Sequence, residues 1–347
     1  MKVIEIETRY EAAPARERPI RDALQVLDGG GSFRLTIRTD SGLIGEASSF
    51  FGRVRGSAPV LKALVDQILA PLVLGQNPLD VRAIHEALLR ETEYQGSSGL
   101  TMFGISAIDT ALWDLVGKAA NLPCHQLWGA RTDRVPAYAM VAWLNFSLEE
   151  LKPICDRALR QGFRAVKVKV GCPSVDEDIA RIETVRSVVG RDAEIMVDAN
   201  QVHTVAEAIR RGRVYEDLGC LWYEEPIPAH NYSGYGELCA ALDIPIATGE
   251  NLYGKEEFAE LFRNRGVDIV QPDLRRAGGP TEVMAVAQMA AACGIPWASH
   301  GGGPVMLSLL CSMPGAAWLE TGFVEGGRPT LLDGFALAPR GPGFAWE

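Results

Sequence analysis

Gly-Phe-Arg-Ala-Val-Lys-Val-Lys-Val-Gly, residues 162–171, is the stretch on which the prediction of the fold depends. Its apolar and charged residues alternate with the period of a β-strand, which places Lys167 and Lys169 on one face and three valines on the other. The strand-like runs that follow are richly apolar, and each ends on an ionisable residue. Two lysines at the centre of such a set need carboxylates nearby, so we expect acidic side chains from the neighbouring strands.

Short apolar runs recur about every 20 to 30 residues after Gly129, a spacing that a (β/α) barrel requires. The predicted strands are 135–142, 165–170, 194–198, 221–224, 245–249, 269–272, 296–299 and 317–320. The amphipathic helices predicted between them include 148–161, 175–189, 205–218, 255–265 and 280–293. A doubly wound open sheet is the alternative, but the sequence has no Gly-rich dinucleotide fingerprint to support it.

The N-terminal third predicts an α+β unit, with strands followed by helices. The predicted strands are 3–7, 33–38 and 43–47, and the predicted helices are 58–70, 78–94 and 100–119. Asp40-Ser41-Gly42 is typical of a hairpin turn between the last two strands. The polar insertion from Glu11 to Gly31 is long for a loop, which favours a lid or binding loop, with a disordered surface loop as the alternative.

The composition is that of an ordinary globular protein of 347 residues. The net charge of −10 argues against a nucleic-acid partner or an anionic membrane. No apolar run approaches the roughly 20 residues of a membrane-spanning helix, and the N-terminus alternates like a strand, so we expect a cytoplasmic protein. The seven cysteines are scattered without a Cys-x-x-Cys pair, which predicts reduced thiols and no disulfide framework or zinc site.

Parallel barrels carry their chemistry at the carboxyl ends of the strands. Ionisable residues stand at seven successive strand ends of this chain: Lys167 with Lys169, Asp198, Glu224, Glu250, Asp273, His300 and Glu320. A carboxylate that caps the next helix would explain any one of these positions. It does not explain the whole series, so we interpret these residues as one site.

Asp198, Glu224 and Glu250 end three adjacent strands and are expected to converge on one point. Three unpaired carboxylates would repel one another, so the arrangement predicts a divalent cation. Oxygen ligands without His or Cys favour Mg²⁺, with Mn²⁺ as a substitute. Glu225 is expected to point away from the metal.

His300 is expected to reach the metal from the side opposite Lys167 and Lys169. Asp273 ends the preceding strand, and a carboxylate bonded to one ring nitrogen would fix the tautomer of the imidazole and raise its basicity. The pair therefore predicts a general base or acid, with a purely structural His–Asp pair as the alternative. The remaining histidines are expected to be surface or packing residues: His85, His125, His203 and His230.

A metal ion between two candidate bases indicates removal of the α-proton of a carboxylate. The enediolate that forms needs stabilisation, which we expect from the divalent cation, from Lys167 and from a protonated Glu320 that donates a hydrogen bond. Lys169, its pKa lowered by neighbouring cationic charge, is expected to be the base on one face, with His300 on the other.

Together these motifs resemble the mandelate racemase subgroup of the enolase superfamily. The matching residues are Lys-Val-Lys at 167–169, Asp198 with Asn200, Glu224 in Glu-Glu-Pro, Glu250 in Gly-Glu-Asn, Asp273, His300 and Glu320. The resemblance extends over nearly the entire chain, including the helix around 107–118. It implies a (β/α)7β modified TIM barrel of residues 131–325 with an α+β capping domain of residues 1–130, completed by 326–347. It also implies Mg²⁺ on Asp198, Glu224 and Glu250, and a homo-oligomer, for which we expect a size between dimer and octamer.

The resemblance further implies that capping-domain loops set substrate specificity, here around Arg16 to Gly31 and around Phe50 to Arg53. Their arginines, Arg16, Arg18 and Arg21, fit a polar or doubly charged substrate, and solvated arginines fit the sequence equally well. We expect the substrate-binding residues to be Lys167, Asn200, Glu320 and Arg21. The loop Gly301-Gly302-Gly303-Pro304 either leaves room for a longer substrate or forms a tight turn.

The sequence thus predicts a Mg²⁺-dependent lyase or isomerase that acts on a small-molecule 2-hydroxy carboxylate. The favoured reaction is dehydration of an acid sugar, aldonate or aldarate, to a 2-keto-3-deoxy acid, with His300 expelling the β-hydroxyl as an acid. A racemase or epimerase of a 2-hydroxy acid such as mandelate is the alternative, in which Lys169 and His300 exchange the proton. A non-catalytic structural or metal-binding protein is a remote third.

Overall fold

The computed structural model describes residues 1–322 and 331–346. The N-terminal part, which we call the cap, opens with a sheet of three antiparallel strands and a small separate hairpin. Its strands are β1 (Val3–Ala12), β2 (Ile20–Arg21), β3 (Val26–Leu27), β4 (Gly31–Thr39) and β5 (Ile44–Phe51). The sheet has the order β1-β4-β5, and β2 pairs with β3 inside the polar insertion. The insertion is therefore an ordered lid rather than a structureless loop.

Helices cover one face of the cap sheet. They are α1 (Ser57–Leu64), a π-helical turn (Val65–Leu69), α2 (Ala70–Val73), α3 (Val81–Thr92), a 3₁₀ turn (Glu93–Gln95), α4 (Leu100–Ala120) and α5 (Cys124–Leu127). The predicted apolar face of α4, from Ile105 to Leu115, is buried and packs with Phe33 and Leu35 of β4. The helical period of its apolar residues thus matches its place in the core.

Helix α4 also corrects one expectation from the sequence. Its 21 residues are long and apolar enough to cross a membrane, whereas no such segment was expected. Because 72% of its most apolar window is buried inside the protein, α4 is accounted for as a core helix.

The described residues after the cap form a closed barrel of eight parallel strands surrounded by helices. In chain order the elements are β6 (Arg134–Ala142), α6 (Leu148–Arg160), β7 (Ala165–Lys169), α7 (Val175–Val189), β8 (Glu194–Asp198), α8 (Val205–Asp217), β9 (Tyr223–Glu224), α9 (Tyr232–Ala241), β10 (Ile246–Thr248), α10 (Gly254–Arg263), β11 (Ile269–Val270), α11 (Leu274–Ala277), α12 (Pro280–Ala292), β12 (Trp297–Ala298), α13 (Pro304–Ser312) and β13 (Ala316–Thr321). The strands β14 (Leu331–Leu332) and β15 (Phe335–Leu337) follow, and β15 runs antiparallel to β6.

Closure of the barrel is made by β13, which pairs in parallel with β6 through Leu319 opposite Ala137 and Glu320 opposite Tyr138. This pairing confirms the (β/α)7β barrel and excludes the open doubly wound sheet. The alternation in β7 is confirmed as well, since Val166, Val168 and Val170 lie in the core between strands and helices. A separate apolar cluster contains Tyr138, Ala165, Met196, Trp222, Ala247 and Ala298.

The cap is fastened to the barrel by polar contacts of α4. Asp109 accepts hydrogen bonds from the backbone N–H of Thr281, at 2.8 Å, and from its hydroxyl, at 2.7 Å. Near the C-terminus, the N–H of Phe344 donates to Asp114 Oδ1 at 3.0 Å, so residues after the barrel also contact α4. The predicted boundary between residues 325 and 326 lies outside the described residues, and the boundary between 130 and 131 stays a prediction.

Candidate active site

Three buried carboxylates lie together at the mouth of the barrel. Asp198, Glu224 and Glu250 come from the ends of β8, β9 and β10, and each offers one oxygen within 4.8 Å of the others. Burial raises the pKa of Glu224 to about 7, a rise that Lys167 opposes and that Asp198 reinforces. A set of three crowded oxygen donors fits a hard divalent cation, and the absence of His or Cys from this set fits Mg²⁺ better than zinc.

Lys167 and Lys169 lie on one side of the three carboxylates. The Nζ atom of Lys167 is 2.7 Å from Glu224 Oε1 and 2.8 Å from Glu320 Oε1. The Nζ atom of Lys169 donates to Asp198 Oδ2 at 2.5 Å and lies 5.3 Å from the centre of the Trp143 ring. Both ammonium groups are almost fully buried, so their pairing with carboxylates offsets a large desolvation cost.

His300 lies beside Glu250, and Asp273 holds its ring. His300 Nδ1 is 2.8 Å from Asp273 Oδ2, while Nε2 is 3.3 Å from Glu250 Oε2. Asp273 also accepts from Nη2 of Arg275 at 2.7 Å and begins α11 by accepting its first backbone N–H groups. The ring is therefore oriented with Nε2 toward the metal ligands, as a base or acid at this place requires.

Glu320 is held by a close approach of the glycine loop. The backbone N–H of Gly301 donates to Glu320 Oε2 at 2.7 Å. A Cβ added to Gly302 would lie 2.7 Å from the carbonyl oxygen of Glu320, so a side chain there would push the strand away. Of the two interpretations of this loop, the tight approach is the one that the geometry favours.

Two expectations from the sequence concern protonation. Burial lowers the pKa of Lys169, but the charges of Asp198, Glu250 and Glu224 together outweigh it, so the pKa is raised and not lowered as expected. Burial raises the pKa of Glu320, but Lys167 and His300 outweigh it and bring the pKa to about 2. In this arrangement Glu320 accepts from Lys167 and from the N–H of Gly301, and its role as a protonated donor stays a prediction.

Two supporting residues were missed from the sequence. Trp222 Nε1 and Gln271 Nε2 donate to Glu224 Oε2 at 3.1 and 2.9 Å, which fixes that carboxylate from the side opposite Lys167. The alternation of residues along the strands predicted at 221–224 and 269–272 indicates that both side chains point into the barrel, and this was the signal in the sequence that could have identified them. Glu225 is absent from the three-carboxylate set, since both of its oxygens accept from Asn251 Nδ2 at 2.8 and 2.9 Å.

A cavity of about 410 Å³ opens above the site between cap and barrel. Lys169, Asn200, Glu250 and His300 line it from the barrel. The lining from the cap and from α11 comprises Arg16, Ile20, Asp22, Gln25, Leu27, Phe50, Phe51, Gly52, Arg53, Phe103, Arg275 and Arg276, with Trp143 from the loop after β6. Arg275 and Arg276 were not expected in the lining. Asp273 precedes them by two and three positions, and an aspartate at that place predicts the start of a helix, which brings both arginines close to the cavity.

Of the predicted substrate-binding residues, Asn200 lines this cavity, whereas Lys167 and Glu320 do not. Arg21 does not line it either. It lines a neighbouring pocket with Gly171 and His203, and its backbone N–H donates to Asn145 Oδ1 at 2.9 Å. Arg18 is also engaged elsewhere, in an ion pair with Glu150. The reason is the β2–β3 hairpin, which turns alternate lid side chains in different directions. The roles assigned to the site residues stay predictions.

Residues 4–129 match the family of the mandelate racemase / muconate lactonizing enzyme N-terminal domain, and residues 150–347 match the enolase C-terminal domain-like family. The arabinonate dehydratase of Saccharolobus solfataricus is 36% identical over 293 residues, which cover 83% of this chain and 77% of that protein. A racemase from Streptomyces coelicolor A3(2), solved with bound magnesium, superposes with a TM-score of 0.92 at 28% identity, covering 99% of this chain and 96% of its own. An L-talarate dehydratase from Polaromonas sp. JS666, solved with Mg and L-glucarate, gives a TM-score of 0.92 at 30% identity, covering 99% and 94%.

The family matches span most of the chain, and the buried site has the chemistry that the sequence motifs predict. The chain therefore belongs to the mandelate racemase subgroup of the enolase superfamily.

Proposed function

We propose that the protein is a Mg²⁺-dependent dehydratase that converts an acid sugar to a 2-keto-3-deoxy acid. The observation that carries this proposal is that Lys169 and His300 contact different members of the three buried carboxylates, Lys169 at Asp198 and His300 at Glu250. Similarity to an arabinonate dehydratase and an L-talarate dehydratase supports the same reaction. The substrate is a small-molecule carboxylate with hydroxyl groups on its α and β carbons.

In the proposed reaction a base removes the α-proton, and the β-hydroxyl then leaves as water. His300 supplies the proton to that hydroxyl from Nε2, while Asp273 keeps Nδ1 occupied. Loss of water leaves an enol, which becomes the 2-keto-3-deoxy acid on tautomerisation.

Asp198, Glu224 and Glu250 would hold Mg²⁺, with Mn²⁺ as a substitute, and the ion would stabilise the negative charge that develops on the substrate carboxylate. Lys167, bonded to Glu224 and Glu320, keeps a positive charge beside that carboxylate. Asn200 is well placed to orient the substrate, because it lines the cavity and its buried Oδ1 has no hydrogen-bond partner among the described residues.

Racemisation of a 2-hydroxy acid is the second candidate. It is favoured by the presence of a candidate base on each side and by similarity to the magnesium-bound racemase. In that reaction Lys169 and His300 exchange the proton on opposite faces, and no hydroxyl leaves. The same residues serve both reactions, so the product distinguishes them.

Incubation with Mg²⁺ and a panel of aldonates, aldarates and aryl hydroxy acids in D₂O tests the proposal. A 2-keto-3-deoxy product supports dehydration, and deuterium at the α-carbon with inversion supports racemisation instead. If neither product forms with any acid of a wide panel, both proposed reactions are contradicted. The interpretation that remains is then a non-catalytic metal-binding protein.

We propose further that the protein is a cytoplasmic homo-oligomer, between dimer and octamer in size. The seven free cysteines support a reducing compartment. Light scattering coupled to gel filtration tests the assembly, and a monomeric mass at micromolar concentration would contradict it.

A further inference from the structure

The cavity above the site carries an excess of positive charge. Among the described residues that line it, five are cationic, namely Arg16, Arg53, Lys169, Arg275 and Arg276. Two are acidic, namely Asp22 and Glu250. A cleft with this balance of charge concentrates anions, and it favours ligands that carry more than one negative charge.

The cations on the barrel side already have partners. Lys169 is paired with Asp198 at 2.5 Å. Arg275 and Arg276 lie 2.7 and 3.7 Å from Asp273. Each of these three cations therefore lies within 3.7 Å of a protein carboxylate, although Arg275 and Arg276 share Asp273.

The cations on the cap side lack such partners. The side chain of Arg16 has no hydrogen bond or ion pair with the residues that the structure describes. Arg53 has only a long contact within the same part of the chain, from Nη1 to the amide oxygen of Gln25 at 3.5 Å. Two guanidinium groups thus line the cavity without a carboxylate opposite them.

The backbone holds these two arginines on one side of the cavity. The N–H of Arg16 donates to the carbonyl of Asp28 at 2.8 Å, and the N–H of Gly29 donates to the carbonyl of Gly52 at 3.2 Å. A Cβ at Gly30 would lie 2.1 Å from the carbonyl oxygen of Phe51, so glycine is what permits this contact. The segment around residue 29 therefore positions Arg16 and Arg53 as neighbours.

We propose that Arg16 and Arg53 bind the distal carboxylate of a dicarboxylic acid sugar, so that the substrate is an aldarate and not an aldonate. This inference rests on the proposed function, because the reacting carboxylate occupies the opposite, barrel end of the cavity. Guanidinium groups match the planar geometry of a carboxylate with two parallel N–H···O bonds. An aldonate has a neutral hydroxymethyl group at the same place and leaves both cations unmatched.

The experiment compares kcat/KM for hexarate and hexonate pairs that share configuration at every carbon, such as galactarate and galactonate. We expect the wild-type protein to favour the diacid of its preferred configuration by about 100-fold or more, the range of charge-assisted hydrogen bonds. Arg16→Gln and Arg53→Gln are each expected to lower kcat/KM for the diacid about 10- to 100-fold and to change that for the hexonate less than about threefold. Arg55→Gln is the matched control, since Arg55 is exposed, as Arg16 and Arg53 are, but does not line the cavity.

Equal kcat/KM for hexarate and hexonate, or an unchanged preference in both arginine variants, would overturn the proposal. The proposal would also be overturned if a hexonate phosphorylated at its last carbon gave a higher kcat/KM than the hexarate, because the arginines would then bind a phosphate.

Calorimetric titration with the same pairs separates this proposal from the proposed function. If no acid sugar is dehydrated or exchanges its α-proton, the function fails. The carboxylate site still stands if hexarate binds at least tenfold tighter than hexonate and both arginine variants lose that difference. Equal binding, or binding of neither acid, overturns it.

Discussion

His85 on the cap lies against Glu282 on the barrel, with 3.3 Å between His85 Nε2 and Glu282 Oε1. The other ring nitrogen, Nδ1, lies 3.4 Å from Asp109 Oδ1. Burial lowers the pKa of His85, but Asp109 and Glu282 outweigh it and raise the pKa to about 9 from the ordinary 6.5. A charged imidazolium between α3, α4 and α12 thus links cap and barrel.

This link predicts how stability depends on pH. Because the folded pKa of His85 lies above the unfolded one, its contribution is complete below pH 6.5 and is lost as the pH rises through about 9. We expect the free energy of unfolding to fall by on the order of 3 kcal/mol over that window. Urea titrations at pH 6 and pH 9.5 measure it, and His85→Gln should remove most of the difference. An equal fall in the variant would contradict the assignment. Lys255, 2.9 Å from Glu282, is the other cation at this contact.

Removal of one metal ligand should abolish activity. Glu224→Gln leaves two of the three carboxylates, and we expect a loss of Mg²⁺ binding and a decrease in kcat/KM of about 10³-fold or more. Titration with Mn²⁺ monitored by electron paramagnetic resonance measures the binding directly. Glu194→Gln, at the other end of β8 and exposed, is the control and should behave as wild type. Full activity in Glu224→Gln would refute the metal site.

The hydrogen bonds behind Glu224 predict a smaller effect on the metal. Trp222→Phe keeps the ring but removes the Nε1 donor, which lies 3.1 Å from Glu224 Oε2. We expect Mg²⁺ affinity to fall about 10- to 100-fold, the usual cost of losing a partner of a metal ligand. Trp318→Phe is the control, since the Trp318 ring packs edge-on against Trp222 at 6.5 Å. Equal Mg²⁺ affinities in the two variants would show that the affinity depends on packing around Trp222 and not on its Nε1 donor.

His300 and Asp273 should differ in the size of their effects. His300→Asn removes the proton donor, and we expect dehydration to slow about 10²- to 10⁴-fold. Asp273→Asn keeps an oxygen to begin α11 but no longer holds the imidazolium, so we expect a decrease in kcat of about 10²-fold with little change in KM. Steady-state kinetics on one acid sugar measures both. A change in KM alone for Asp273→Asn would mean that it acts through Arg275 and substrate binding.

Much of the barrel was predictable because strand period and strand ends are local properties of the sequence. The alternation around Lys167 and Lys169 and the acidic strand ends place the site without any knowledge of the cap. The direction in which the lid side chains point is not a local property of the sequence, since it depends on how the β2–β3 hairpin packs against the rest of the protein. That is why Arg21 was expected in the cavity where Arg16 and Arg53 lie. The direction of the Lys169 pKa is likewise not a local property, because it depends on the 2.5 Å contact with Asp198.

Pairing of β13 with β6 joins the two ends of the barrel sequence. Contacts between distant parts of a chain form slowly, so we expect this seam to close late in folding. Glu320 lies in that seam, opposite Tyr138, and reaches Lys167 only from there. During synthesis the two lysines and the three carboxylates of the metal site are therefore made before Glu320. Enzymatic activity therefore requires that synthesis is complete and that the barrel is closed. We expect a chain that ends before residue 316 to bind the metal ion weakly and to have no catalytic activity.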